Sequence, residues 1–66
     1  MRTVWILEQA YPGMEYQPYL VFASKQSVVD YLGHHITIND SDVIMGNTTG
    51  AVSYRATPWP IQQDDN

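Results

Sequence analysis

The stretch Tyr19-Leu20-Val21-Phe22-Ala23-Ser24-Lys25-Gln26-Ser27-Val28-Val29-Asp30-Tyr31-Leu32-Gly33 decides the fold. An apolar, β-rich run ends at a serine that can accept a bond from a backbone N–H two or three residues on, the usual start of a helix. Val28, Val29 and Leu32 then share one face at helical spacing with Tyr31 beside them, while Lys25, Gln26 and Asp30 face water. Gly33 permits the left-handed conformation in which helices end. The pattern predicts a strand followed by a helix over about 25–32.

Upstream, residues 3–8 alternate imperfectly, because Val4 and Ile6 point one way and Trp5 and Leu7 the other. A strand apolar on both faces needs cover on both. We expect the helix to take the Val4 and Ile6 face, with Val28 and Leu32 as its inward anchors. The Trp5 and Leu7 face is then left to a loop, the tail or another molecule. Between this strand and the next, Pro12-Gly13 suits the central positions of a type II turn. A hairpin of residues 3–9 and roughly 17–23 follows, with Pro18 at the start or edge of its second strand.

Downstream, residues 36–38 read as a connecting or strand-like piece and Asn39-Asp40-Ser41-Asp42 as a polar turn. Val43-Ile44-Met45 and residues 51–56 flank Gly46-Asn47-Thr48-Thr49-Gly50, a second hairpin. Thr57-Pro58-Trp59-Pro60 is expected to stop the last strand, with Trp59 folding back onto Trp5 or Leu7. The fold class expected is α+β: a three- or four-stranded antiparallel sheet with one helix on one face, in the order β-β-α-β-β. Residues 1–61 form one domain and 62–66 a frayed polar, acidic tail.

Composition narrows the function. A 66-residue chain has a small core, and its lack of cysteine removes the disulfide route to stability. Self-association or close packing of its aromatic side chains must serve instead, so a homodimer is one expected state. Seven acidic residues against three basic ones give a net charge of −4, too few cations to follow a phosphate backbone. No direct nucleic-acid contact is expected. The start of the chain lacks an apolar run of signal or membrane-span length, so a cytoplasmic location and no membrane partner are expected.

Catalytic chemistry is not expected. Adjacent His34 and His35 on extended chain point opposite ways and cannot share one ion. Asn39 to Asp42 lacks the glycine and distal glutamate of a calcium loop, and Gly46 to Gly50 lacks the lysine of a phosphate loop. We therefore expect no enzyme, no cofactor and no metal. What remains is aromatic. Tyr11, Tyr16 and Tyr19 cluster around the long first loop, and such side chains offer large contact area with few rotatable bonds. With Trp5, Leu7 and Trp59 they form the candidate binding set.

The order Val4-Trp5-Ile6-Leu7, then Leu20-Val21-Phe22-Ala23-Ser24 running into Val28-Val29-Asp30-Tyr31-Leu32, resembles a widespread type of very small phage and bacterial proteins, which more often carry alanine at the position of Val28. The resemblance covers the first half of the chain. It implies an accessory factor that binds and modulates a protein of the host bacterium and acts in the host cytoplasm, and it supplies no site residues. Two alternatives stand beside it: an acidic mimic of nucleic acid, and a homo-oligomeric small-molecule binder that stacks its ligand on Trp and Tyr.

Overall fold

A computed structural model describes residues 2–33, 35–47 and 51–62. Among the described residues, five strands and one helix follow in the order β1 (Arg2–Ala10), β2 (Gln17–Phe22), α1 (Lys25–Leu32), β3 (Ile36–Ile38), β4 (Ile44–Asn47) and β5 (Ser53–Ile61). The strands form one antiparallel sheet in the spatial order β2-β1-β5-β4-β3. Its two long members, β1 and β5, pair centrally along their whole length, from Arg2 opposite Ile61 to Ala10 opposite Ser53.

The expected count of three or four strands is thus corrected to five, and two local effects account for it. First, Ile36-Thr37-Ile38 is a full strand. Its β-branched side chains favour the pleated backbone, and the turn that follows folds it onto β4, with Ile38 opposite Ile44. Asn39 builds that turn: its Oδ1 accepts bonds from the N–H groups of Ser41 at 2.8 Å and Val43 at 3.1 Å. Second, β5 does not stop at Pro58. A proline is tolerated in a ladder only where its missing N–H would have pointed away from the partner strand. β4 ends its pairing at Ile44 opposite Ala56, so beyond that point β5 has one neighbour among the described residues, and Pro58 and Pro60 can turn their nitrogens to the other side.

The helix matches its expected limits and cap. Ser24 has extended dihedrals (φ −147°, ψ 155°), and its Oγ accepts the Ser27 N–H at 3.1 Å. Gly33 donates its N–H to the Val29 carbonyl at 2.9 Å, but with φ 73° and ψ −126° it leaves the left-handed helical well that was expected. The first turn also follows expectation: Gly13 has φ 78°, and the Met14 N–H reaches the Tyr11 carbonyl at 2.9 Å.

The helix covers the other face of β1 from the one anticipated. Its core partners are Trp5, Leu7, Ile44 and Ala56, which with Val28 form the buried cluster, while Phe22, Val29, Leu32, Ile36 and Tyr54 pack around it. Val4 and Ile6 are only half-buried and lie on the opposite face. Register explains the choice. Leu7 stands opposite Ala56 on one side and Leu20 on the other, and Ala56 stands opposite Ile44, so these residues form one apolar row across four strands. The row through Ile6 meets Thr57, and that through Glu8 meets Arg55. The helix covers the face without charges. Gly46 lies beneath its C-terminal end, where a Cβ would stand 3.6 Å from Leu32 Cδ1, an ordinary contact, and a tighter 3.3 Å from Ile36 Cγ2 on the neighbouring strand β3.

Candidate functional site

The face of the sheet turned away from the helix is covered at its Glu8–Arg55 end, where Tyr16 of the first loop lies over Arg55, and is open elsewhere among the described residues. Along β1 it presents Arg2, Val4, Ile6 and Glu8; along β5, the residues opposite them, Ile61, Trp59, Thr57 and Arg55; and on β2, Val21, opposite Ile6. Val21 is 66% exposed and Trp59 53%, against 0% for Leu7 one residue from Ile6 on the buried face. Val4, Ile6, Val21, Trp59 and Ile61 therefore make a continuous apolar strip.

Charge is confined to the ends of that strip. Arg2 marks one end. At the other, Arg55 donates from Nε to Glu8 Oε1 at 3.0 Å and its Nη2 lies at the same distance from the same oxygen. The Arg55 guanidinium sits 4.2 Å from the centre of the Tyr16 ring, a cation–π contact that brings the first loop onto this end of the face. An apolar centre bounded by polar groups is the usual composition of a contact surface.

The edges around the face are poor places for another strand to add. Near Trp59, the β5 edge presents Pro58 and Pro60, which have no N–H to donate. The outer strand β2 carries Pro18 and a register shift opposite Leu7 and Glu8, while β3 is only three residues long. Short edges, prolines and bulges all discourage edge pairing.

The six residues singled out in the sequence are not brought together. Trp5 and Leu7 are core residues at 7% and 0% exposure, so the expectation that they head the accessible face is reversed. Trp59 does not fold back onto them: it is paired with Val4 on the opposite face. Tyr11 is exposed and, with Gln9, Met14, Glu15 and Gln17, lines a shallow cavity of about 130 Å³ in the first loop. Tyr16 covers Arg55. Tyr19 reaches the helix side instead, where its hydrogen bond to Tyr31, followed by desolvation and the nearby Tyr19 and Tyr54 hydroxyls, raises the Tyr31 pKa above 10.0. Tyr31 also meets Phe22 with ring centres 5.5 Å apart.

Val4, Ile6, Val21 and Ile61 were not in the sequence-derived set. The signal that identifies them is the alternation of β5, in which Tyr54, Ala56 and Pro58 share one face and Arg55, Thr57 and Trp59 the other. Among the described residues no group of three His, Cys, Asp or Glu could hold a metal ion, and no helix is long and apolar enough to cross a membrane. His34, residues 48–50 and tail residues 63–66 lie outside the described residues, so the readings made of them have no structural counterpart. No family model matches the chain, and no curated protein or solved structure matches it.

Proposed function

We propose that this chain is a protein-binding accessory factor that inhibits or modulates a protein of a host bacterium, acting in the cytoplasm by surface contact through the sheet face opposite its helix. One observation carries the reading: the uncovered strip of Val4, Ile6, Val21, Trp59 and Ile61, with charge only at its ends. An exposed tryptophan within a contiguous apolar patch is the kind of anchor that dominates contact energetics.

The alternatives find less support. As a nucleic-acid mimic the chain would need carboxylates in a row. Instead Glu8 is engaged by Arg55 and Asp42 by Lys25, while Asp30 lies on the helix and Glu15 in the first loop. As a small-molecule binder it offers a cavity of about 130 Å³, below the roughly 300–1,000 Å³ of typical ligand sites.

The test is a comparison of baits. Wild-type protein, Trp59→Ser, Val21→Ser and the loop variant Tyr11→Ser are used to capture partners from a bacterial lysate. The two face variants lose a partner that Tyr11→Ser retains. Retention by the folded Trp59→Ser and Val21→Ser baits removes the face from the reading. Loss of the partner by Tyr11→Ser alone moves the site to the loop.

A further inference from the structure

We propose that in the free protein the same face is covered by a second copy of this chain, related by a two-fold axis passing between the levels of Val4 and Ile6. The inference rests on the face assigned under Proposed function and identifies its occupant when no other partner is present.

The argument begins with the linear order of the face. On β1 the side chains run Arg2, Val4, Ile6, Glu8, with the ends of opposite charge and the centre apolar. A two-fold axis at the middle of that series reverses it in the second copy. Val4 then lies over Ile6 of the other copy, and Arg2 lies over its Glu8. Along β1 the contact thus matches apolar with apolar and cation with carboxylate, each match made twice by symmetry, while along β5 the same axis sets Trp59 over Thr57 and Ile61 over Arg55. Glu8 can take part while holding Arg55, because both Arg55 contacts use Oε1 alone.

Charge elsewhere disfavours other contacts between copies. The chain carries −4 overall, so most surface-to-surface approaches bring like charges together. Glu15, Asp30, Asp40 and Asp42 all lie on the loop, the helix or the β3–β4 turn. The open face, with Arg2 and the Glu8–Arg55 pair, has no negative excess among the described residues.

Area sets the strength. With β2, β1 and β5 spaced at about 4.8 Å and β1 about 30 Å long, the face measures roughly 430 Å². Two copies would bury roughly 860 Å², in the range of weak and transient contacts below about 1,200 Å². Association is therefore weak, and a heterologous partner displaces the second copy as the face becomes available. The monomer is the form competent to bind.

Sedimentation velocity over about 2 to about 200 µM protein tests this, in the range where a micromolar equilibrium is visible. The wild type passes from monomer to dimer across the series. Trp59→Ser stays monomeric with unchanged circular dichroism, and Val21→Ser, at an exposed edge-strand position, does the same if Trp59→Ser does not fold. Arg2→Glu places a carboxylate over Glu8 and weakens the dimer roughly tenfold at about 50 mM salt, a difference that shrinks near 1 M salt. A wild type that is monomeric at the highest concentration overturns the proposal, as does a dimer that survives both face variants. A dimer lost in Trp59→Ser but indifferent to Arg2→Glu at every salt concentration overturns the two-fold register. The bait comparison separates the two readings. A monomeric wild type whose partner depends on Trp59 leaves the functional proposal standing, whereas a folded Trp59→Ser that keeps its partner removes that proposal whatever the oligomeric state.

Discussion

The two faces of β1 are made of similar residues and have different fates. Trp5 and Leu7 look toward a helix, Ile44 and Ala56, and are buried; Val4 and Ile6 look toward Thr57, Trp59 and Val21, and remain half-open. Hydrophobicity of the strand does not separate them. What separates them is the neighbouring strand, whose alternation brings Ala56 beside Leu7 but Arg55 beside Glu8. A helix can close over an apolar row across several strands, but closing over Arg55 and Glu8 would desolvate an ion pair. The difference teaches that in so small a domain the face left without a helix is selected by where the charges fall.

The comparison breaks most easily at adjacent residues. Leu7→Ala removes a fully buried side chain and costs about 2–5 kcal/mol, enough to unfold a domain of this size. Ile6→Ala, measured at concentrations too low for association, costs less than half of that, since its side chain already meets water. Urea denaturation followed by circular dichroism measures both. Equal losses would mean that the two faces are equally buried.

A smaller effect sharpens the picture of the covered face. At Gly46 an alanine Cβ meets Ile36 Cγ2 at 3.3 Å, a contact relieved by a small side-chain shift, whereas Gly46→Val forces its branches against Ile36 and Leu32 and costs about 1–3 kcal/mol. A Gly46→Val protein of wild-type thermal midpoint would show that Ile36 and Leu32 leave room above Gly46. Smaller again, Ser24→Ala leaves the Ser27 N–H without its side-chain acceptor and costs about 1 kcal/mol, read as a lowered thermal midpoint.

The smallest effect lies at the border of the helix side. Tyr31 is bonded to Tyr19, and its pKa is raised above 10.0. A phenol that holds its proton more tightly when folded contributes stability that is complete below its unfolded pKa of about 10 and is lost as pH rises through the raised value. Tyr31→Phe should thus lose less stability than wild type between neutral pH and pH above about 10. Parallel pH profiles for the two proteins would contradict the Tyr19–Tyr31 bond.

How much of this was legible in the sequence follows from the range of each interaction. The helix was readable because its cap, its inward residues and its terminal glycine all lie between Ser24 and Gly33. The Asn39 turn was readable as a turn, yet its consequence, that Ile36 to Ile38 pairs with β4, depends on a strand six residues away. The face of β1 was not readable locally, since Val4-Trp5-Ile6-Leu7 is apolar on both sides. Only its register with Arg55, Ala56 and Thr57, about fifty residues on, decides it. Pro58 and Pro60 misled for the same reason, because whether a proline ends a strand depends on whether a neighbour needs its N–H. The candidate site was therefore legible as a face in need of cover, and its identity was not.

The chain's two tryptophans stand on opposite faces, so a single spectrum can report on both. Fluorine NMR of protein carrying fluorotryptophan at Trp5 and Trp59, assigned with the Trp59→Ser variant and recorded from about 10 µM to about 1 mM, tests most directly whether the uncovered face is the contact surface. The account predicts that the Trp59 resonance shifts with concentration and becomes protected from a soluble paramagnetic agent as the second copy covers it. The Trp5 resonance should stay fixed and protected throughout. A Trp59 resonance that remains solvent-accessible and unshifted over the whole range, or a Trp5 resonance that the agent reaches in dilute solution, would contradict it.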